Sequence, residues 1–280
     1  MSDQVPDWRS YDAVAEPYAR VRAIHYTLLA RDLVALVAPA FRSRVLDVGA
    51  GTGIAARAAL AATGTDGTVV AVDPSIEMLR RLEARGRIPA AVGATPSLPF
   101  GPARFDAVVA NLVVADVPDY RSALADMVRV VRPGGRLGVS VWGALGDAPP
   151  VDDGLERAAY EIWAKVAAEA ADPDAVEEAA REALPWGTWF ADPVHVRAAL
   201  TEAGLERVEL TGRAYRYRLS HADWLAAVGT SAKARYLRHT LGDDEWARFG
   251  TRVLDGLRGT VPDPIPCVDE ALLAVGNRPA

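Results

Sequence analysis

The sequence predicts a doubly wound α/β fold, a seven-stranded and mostly parallel sheet with helices on both faces and a mostly helical lid. Short apolar segments typical of buried strands alternate with segments in which apolar residues recur at helical spacing. Residues 105–111 are almost continuously apolar, as expected of a central strand in a parallel sheet. Beyond Trp142 the alternation gives way to Ala- and Glu-rich helical sequence, which predicts the lid.

The first half of the chain supplies most of the predicted sheet. Residues 10–38 are expected to be mostly helical, with a break at Pro17 and an end at Pro39. The segments that follow are strand 44–48, helix 55–62, strand 68–72, a helix that starts near Pro74 and buries Ile76, Met78, Leu79 and Leu82, strand 89–92, strand 105–111, helix 120–131 with Asp119 as its cap, and strand 136–142.

The second half of the chain adds helices and two long strands. Its predicted segments are a helical stretch at 152–184, helix 192–204, strand 205–219, a helical stretch at 221–258 and strand 267–275. We therefore predict a single domain, 1–280. Its core comprises 40–143, 191–219 and 263–278, and its lid comprises 8–38, 144–190 and 220–262.

Composition narrows the class of protein. The net charge is −6, and residues 152–184 hold ten acidic against three basic residues, which disfavours a nucleic-acid partner. A single cysteine, Cys267, excludes a disulfide framework and a cysteine metal cluster. No apolar run is long enough to span a membrane, and the N-terminus does not resemble a signal peptide. The sequence therefore predicts a cytoplasmic protein, and its strong preference for arginine over lysine is typical of a GC-rich bacterial genome.

A glycine-rich turn follows the first strand and is the most informative motif. Gly49, Gly51 and Gly53 follow strand 44–48, and Asp73 ends the next strand. This is the layout of a nucleoside-binding βαβ unit, because glycines let a ligand approach the backbone and one carboxylate can accept from both ribose hydroxyls. A P-loop is excluded, and a dinucleotide fingerprint would need glycine where Ile54 stands.

Several motifs in register make the resemblance specific. Residues 11–142 resemble class I S-adenosylmethionine-dependent methyltransferases, Rossmann-like enzymes, of the ubiquinone/menaquinone-methyltransferase-like branch. The shared motifs are Tyr11-Asp12-Ala13-Val14-Ala15-Glu16-Pro17-Tyr18, Val45-Leu46-Asp47-Val48-Gly49-Ala50-Gly51-Thr52-Gly53, Val72-Asp73-Pro74-Ser75 with Met78-Leu79, Leu98-Pro99-Phe100, Phe105-Asp106-Ala107-Val108-Val109 and Val131-Arg132-Pro133-Gly134-Gly135-Arg136-Leu137.

The resemblance implies S-adenosylmethionine as cofactor, S-adenosylhomocysteine as its product and a small-molecule acceptor. It also implies roles for particular residues. By this resemblance, the methionine end would be held by Asp47, Gly49, Ala50 and Gly51, and the ribose by Asp73. The adenine would lie near Pro74 and Met78, and the sulfonium would lie above Asn111 and Leu112. Tyr18 would cover the cofactor.

Two positions depart from the family pattern. Ala94 stands where the family often has an Asp that reaches the adenine amino group, so adenine recognition is expected to use backbone groups or Thr95. Ala115 and Asp116 stand where the family often has a pair of histidines, so no base role is carried over from those histidines.

Candidate residues on the acceptor side each allow a structural reading as well. Asp116 is either a general base or a loop residue that bonds nearby amides. His25 and Tyr26 either line the pocket, His25 then as a candidate catalytic group, or merely pack their helix. Three tryptophans either wall an apolar substrate or pack the lid onto the sheet: Trp142, Trp186 and Trp189. No metal site is predicted.

The predicted function is S-adenosylmethionine-dependent methyl transfer to a small, moderately apolar metabolite, for example of secondary metabolism, by in-line displacement. Three alternatives stay open at the level of sequence. The first is an enzyme of this fold that binds the cofactor but catalyses other chemistry, such as a cyclisation. The second is a non-catalytic scaffold, and the third is an NAD-dependent dehydrogenase, which shares the opening βαβ unit.

Overall fold

The computed structural model describes residues 9–84, 86, 88–143 and 154–280. Residues 144–153 of the predicted lid therefore lie outside the described residues. The helical elements are a 3₁₀ turn (Asp12–Val14), α1 (Ala15–Pro17), a π-helical turn (Tyr18–Arg22), α2 (Ala23–Val37), α3 (Ile54–Thr63), α4 (Ile76–Glu83), α5 (Tyr120–Val130), α6 (Leu155–Ala170), α7 (Pro173–Ala183), α8 (Gly187–Phe190), α9 (Pro193–Glu202), α10 (His221–Val228) and α11 (Ala232–Leu257). The strands are β1 (Arg44–Val48), β2 (Thr68–Asp73), β3 (Ala90–Val92), β4 (Phe105–Asn111), β5 (Val131–Trp142), β6 (Glu206–Leu219) and β7 (Ile265–Asn277).

All seven predicted strands form one sheet, in the order β3-β2-β1-β4-β5-β7-β6. β1 pairs in parallel with β2 on one side and with β4 on the other, and β3 and β5 extend these pairs in parallel. β7 is antiparallel to β5, with Ala271 opposite Trp142. The predicted mostly parallel sheet is confirmed. Its strand order reverses between β1 and β4, so a ligand crevice is expected beyond the carboxyl ends of these strands.

Residues 25–143, 185–215 and 270–280 form one compact unit, which we call the sheet unit. Its core joins Leu46, Val108 and Leu137, on three adjacent strands, to Leu124 and Met127 of α5, and all five are buried. Burial of this apolar surface is the main force that holds the strands in register. The carboxyl ends of β1, β2 and β4 are thereby fixed on a rigid support.

Residues 9–24, 154–184 and 216–269 form a second compact unit, which we call the helical unit. Trp163, Trp224 and Phe249 lie in its own apolar core. Part of the acidic charge of α6 and α7 is paired with basic residues of α11, through Glu169 with Arg252 and Glu177 with Lys233. The predicted division into core and lid stays a prediction. The unit boundaries differ from it in placing 25–38 and 185–190 with the sheet unit, and 216–219 and 263–269 with the helical unit.

The predicted break at Pro17 does not occur. Helical backbone continues through Pro17 (φ −61°), and only the helix type changes, to a π-helical turn over Tyr18–Arg22. Pro17 lies in the first turn after the helix begins at Ala15, where a backbone N–H has no partner inside the helix. The missing N–H of proline therefore removes nothing there.

Two other sequence predictions are corrected. Ile76 is 49% exposed, whereas Met78, Leu79 and Leu82 are buried. Ser75 caps α4 by accepting from the Met78 N–H, and Ile76 in the first turn lies off the buried face. The fifth strand starts at Val131 rather than at residue 136, and a shift in its register with β4, between Phe105 and Ala107, accommodates residues 132–135 inside the strand.

Candidate functional site

The glycine turn after β1 places two glycines in different surroundings. Both have left-handed backbone, with φ of +65° at Gly49 and +54° at Gly51. A Cβ at Gly49 would lie 2.4 Å from Val113 Cγ2, so this glycine allows close packing with the loop after β4. A Cβ at Gly51 would meet no atom within 4 Å. Gly51 therefore borders open space, as a backbone that receives a ligand must.

Asp73 joins the end of β2 to this turn. Its Oδ2 accepts from the Gly51 N–H at 2.8 Å, and its Oδ1 accepts from the Ser75 N–H at 2.8 Å. The Ala50 N–H donates to the Val72 carbonyl at 3.0 Å, which closes the turn against β2. The carboxylate is thus held in one orientation beside the backbone that borders open space.

Asp47, the residue before Val48 at the end of β1, is completely buried. Its Oδ2 accepts from the Ala56 N–H in the first turn of α3 at 2.7 Å, whereas its Oδ1 has no hydrogen-bond partner among the described residues. Burial raises the pKa of the Asp47 carboxyl to about 8, against the lowering effect of the Ala56 hydrogen bond. The charge of Asp73 raises the pKa further, and Arg57 lowers it.

The loop after β4 crosses the glycine turn in a strained conformation. Leu112 has φ of +60°, a rare value for a side chain of this kind. Its N–H donates to the Ser140 carbonyl at 3.2 Å and to the Ser140 Oγ at 3.0 Å, and that hydroxyl donates to Asn111 Oδ1 at 3.0 Å. Ser140 of β5 thus fixes the predicted sulfonium residues Asn111 and Leu112.

The loop at 93–100 is anchored by α5. Thr95 is buried and its hydroxyl donates to the Ala123 carbonyl at 3.0 Å, while Ala94 is exposed. The Leu98 N–H donates to Asp126 Oδ2 at 2.8 Å, and Arg129 donates to Asp126 Oδ1. Ala94 offers no side-chain acceptor, and recognition of an adenine by backbone groups of this loop or by Thr95 stays a prediction.

The other predicted adenine contacts differ in accessibility. Pro74 is exposed at the end of β2, whereas Met78 is buried on the inner face of α4. A contact between Met78 and a ligand would therefore require the ligand to reach past the surface of α4. The assignment of both residues stays a prediction.

Tyr26 and Trp142 lie together in the sheet unit. Their ring centroids are 5.2 Å apart, with Tyr26 buried and Trp142 39% exposed at the carboxyl end of β5. His25 and Asp116 are each half-buried, and the Asp116 N–H donates to the Val113 carbonyl at 2.9 Å. An aromatic surface thus flanks the carboxyl end of the sheet, while the catalytic roles of His25 and Asp116 stay predictions.

Trp186 and Trp189 pack into an aromatic cluster around Tyr120. The Tyr120 ring centroid lies 4.8 Å from that of Trp186 and 5.0 Å from that of Trp189. Trp189 also stacks on His195 at 4.3 Å, and Trp186 Nε1 donates to the Pro118 carbonyl at 3.2 Å. These contacts match the packing interpretation of the two tryptophans, and a substrate role for them stays a prediction.

Tyr18 belongs to the helical unit. Its ring meets Tyr11 edge-on, with centroids 6.1 Å apart, and Tyr11 in turn lies under the Arg235 guanidinium. Its predicted role as a cover over the cofactor stays a prediction.

Sequence reasoning missed the residues that hold the site in place. Asp126, Arg129 and Ser140 position the loops at 93–100 and 111–113 through the hydrogen bonds described above. One signal was available: Asp126 and Arg129 stand three residues apart on α5, and the acid occupies a buried position of that helix. The role of Ser140 depends on the strand pairing and left no local signal.

The described part of the chain shows neither of two features that would suggest other functions. Within it, no group of three or more His, Cys, Asp or Glu side chains is arranged to hold a metal ion. No helix of these described ranges has both the length and the hydropathy needed to cross a bilayer.

Comparison with known proteins agrees with this geometry. Residues 46–139 match the family model described as a methyltransferase domain. Over 136 residues the chain is 38% identical to a demethylmenaquinone methyltransferase of Clavibacter sepedonicus, a match that covers 47% of this chain and 52% of that protein. The chain spans about half the length of the curated relatives it matches.

Two solved structures illustrate the shared fold. An N-methyltransferase of Haemonchus contortus, in complex with phosphomonomethylethanolamine and S-adenosylhomocysteine, superposes with a TM-score of 0.54 at 15% identity, covering 97% of this chain and 59% of that one. The [4+2]-cyclase SpnF superposes with a TM-score of 0.52 at 17% identity, covering 91% of this chain and 81% of that one. At these identities the likeness shows the fold alone.

Proposed function

We propose that the protein transfers the methyl group of S-adenosylmethionine to a small, moderately apolar acceptor. The premise is that residues 46–139 form a class I S-adenosylmethionine-dependent methyltransferase domain. The observation that carries this is the joint placement of Gly51 and Asp73. The Gly51 N–H is bound to the Asp73 carboxylate, and the Cα of Gly51 borders open space. A nucleoside needs both features, a carboxylate for its ribose and bare backbone beside it.

The residues present also fit the methionine end of S-adenosylmethionine. The buried Asp47 Oδ1 has no partner among the described residues, and a buried carboxylate oxygen is stabilised by a cationic donor. When bound, the cofactor supplies a methyl group on a positively charged sulfur. The chain then has to orient the acceptor in line with that methyl group and exclude water.

We assign the acceptor side to the carboxyl end of β5. The exposed ring of Trp142, packed against the buried ring of Tyr26, offers an apolar surface there, in keeping with an apolar acceptor. Asp116 and His25 are the titratable groups proposed to take the acceptor's proton where the acceptor is still protonated. In-line displacement itself needs no base, so neither residue has to be essential for every acceptor.

Binding of S-adenosylhomocysteine tests the cofactor assignment. We expect calorimetry to show binding of S-adenosylhomocysteine and none of NAD, because the chain lacks the third glycine of a dinucleotide turn at Ile54. The Asp73→Ala variant should lose about 1–3 kcal/mol of binding free energy, the usual cost of removing a charge-assisted acceptor. Asp192→Asn, an exposed helix cap at α9, is the matched control and should bind as the wild type does.

A second assay tests methyl transfer. Radiolabelled S-adenosylmethionine is incubated with the protein and a panel of phenols and naphthoquinols, chosen because the Clavibacter relative is named for a quinone substrate. Label in an organic extract supports methyl transfer to an apolar acceptor. Binding of S-adenosylhomocysteine without transfer to any member of the panel contradicts that acceptor class. Failure to bind it contradicts the cofactor assignment and favours the scaffold.

A further inference from the structure

Asp47 is placed where a carboxylate is poorly stabilised in the absence of a cation. The side chain is fully buried, and only one of its two oxygens accepts a hydrogen bond among the described residues, from the Ala56 N–H. Burial of an ionised carboxylate with an unpaired oxygen is unfavourable, so the neutral form is preferred.

The charges that face Asp47 come from two elements. Asp73 on β2 approaches with a carboxylate whose two oxygens both accept backbone N–H groups, an arrangement that suits the ionised form of Asp73. The positive charge of Arg57 on α3 opposes the effect of Asp73 on the pKa of Asp47, and Arg57 also donates to the Thr52 carbonyl at 2.8 Å. Burial and the like charge of Asp73 outweigh the Ala56 hydrogen bond and Arg57, and the pKa of Asp47 rises to about 8.

We propose that binding of S-adenosylmethionine or S-adenosylhomocysteine drives a proton off the Asp47 carboxyl into solvent, so that affinity for both ligands rises with pH through the neutral range. The O–H bond of Asp47 breaks, the proton leaves to water, and the remaining carboxylate is compensated by the α-ammonium of the ligand. The inference rests on the proposed function, because it requires the methionine end of the ligand to lie at Asp47.

The sign follows from proton linkage. In the free protein at neutral pH, roughly nine tenths of Asp47 is protonated for a pKa about one unit above the pH. A neighbouring ammonium lowers that pKa, so the bound state holds fewer protons than the free state. Affinity therefore increases by up to about tenfold per pH unit below the free-state pKa and levels off above it.

Calorimetry measures the number of protons released on binding. S-adenosylhomocysteine is titrated into the full chain at about pH 6.5 and about pH 8.5, each in two buffers of different ionisation enthalpy, which yields the number of protons released. We expect release of close to one proton at the lower pH and a much smaller release at the higher pH. Binding with no proton release at the lower pH overturns the inference and leaves the proposed function standing. Absence of binding at both pH values overturns the inference and the proposed function together.

Variants identify the group that releases the proton. Asp47→Asn keeps the shape and one acceptor oxygen, and it should bind S-adenosylhomocysteine with no proton release and with pH-independent affinity. Asp192→Asn, which removes an exposed carboxylate at the start of α9, should release protons as the wild type does. Proton release that persists in Asp47→Asn would assign it to another group and overturn the inference.

A spectroscopic measurement on the wild type covers the case in which Asp47→Asn does not fold. In protein with ¹³C-labelled aspartate carboxyls, one resonance should titrate near neutral pH without ligand and move to a lower midpoint with saturating S-adenosylhomocysteine. The absence of any carboxyl titrating in the neutral range overturns the inference.

Discussion

At the scale of single residues, the two glycines of the turn at 49–53 have different physical reasons to be glycine. Gly49 faces Val113 so closely that a methyl group would overlap it, whereas Gly51 faces open space. Packing therefore requires the first glycine, and we attribute the second to the access that the proposed ligand needs.

Alanine at each position should separate the two requirements. Gly49→Ala forces Val113 to move and should lower the melting temperature strongly. Gly51→Ala should lower the free energy of unfolding by only about 1 kcal/mol, because alanine disfavours the left-handed backbone, but it should weaken S-adenosylhomocysteine binding at least tenfold. Thermal unfolding and calorimetry check both. Gly86, also left-handed and in open space, is the control, since Gly86→Ala should share the stability cost without the loss of binding.

Asp47 should make the ligand-free protein less stable as pH rises. Between the ordinary pKa of an aspartate and about 8, the folded state keeps a proton that the unfolded chain has released. Stability then falls with pH by up to about 1.4 kcal/mol per unit. The unfolding free energy of the Asp47→Asn variant, relative to that of the wild type, should therefore increase from about pH 5 to about pH 8. A constant difference between the two proteins across that range would refute the raised pKa.

The local sequence predicted the residues of the proposed site better than the residues that hold them in place. Asp73 and Gly51 stand in a motif whose chemistry can be read from neighbouring residues, and the structure brings them together. The left-handed Leu112 and its support by Ser140 could not be predicted, because they depend on pairing between strands distant in sequence. The anchoring of Thr95 to α5, through its hydroxyl and the Ala123 carbonyl, could not be predicted from local sequence either.

At the scale of elements, a charged cluster closes the end of the sheet opposite the glycine turn. Asp106 at the start of β4 accepts from the Arg44 N–H at 2.7 Å and from Arg132 Nε at 2.6 Å. Burial acts to raise the pKa of Asp106, but these hydrogen bonds and charges outweigh it and lower the pKa. The pKa of Asp106, at this end of the sheet, is thus shifted in the opposite direction to the pKa of Asp47.

Asp106→Asn should destabilise the fold by about 1 kcal/mol at neutral pH, because it removes the charge that links β1, β4 and the start of β5. A lowered pKa stabilises the folded state above the ordinary aspartate pKa, and this stabilisation disappears as pH falls. Urea unfolding at about pH 7 and about pH 3 should therefore show a smaller difference at the lower pH. Asp66→Asn, which breaks the exposed pair with Arg42, serves as the control and should change little at either pH.

Periodicity predicted the elements well and failed at their ends. Strands 44–48 and 105–111 were predicted with their observed bounds, since buried parallel strands are apolar throughout. Ile76 and Val131 were misplaced, because the first turn of a helix and the first residues of a strand take their burial from tertiary contacts rather than from the local period. Pro17 was misread because its position relative to the helix start was unknown.

At the scale of the whole molecule, the two compact units divide the predicted roles. The sheet unit contains the predicted methionine, ribose, adenine and sulfonium residues, while the helical unit contains Tyr18 and most of the predicted lid. The sequence resemblance covered 11–142, and the later segments carried no motif that identifies an acceptor. Cofactor chemistry was therefore predictable from sequence, whereas the later segments offered no pattern from which an acceptor could be predicted.

Hydrogen exchange with and without S-adenosylhomocysteine tests this division. We expect the ligand to slow exchange at 49–53, 73–75 and 111–113, because these segments contain the residues of the proposed cofactor site and a bound ligand suppresses their local opening. If the N-terminal helical segment acts as the predicted cover, residues 15–22 should also exchange more slowly, and Tyr18→Ala should abolish that change without affecting 49–53. Protection confined to 216–269 would contradict both the site and the cover, since it would place the ligand in the helical unit. Protection at 49–53 without any at 15–22 would retain the site and remove Tyr18 from it.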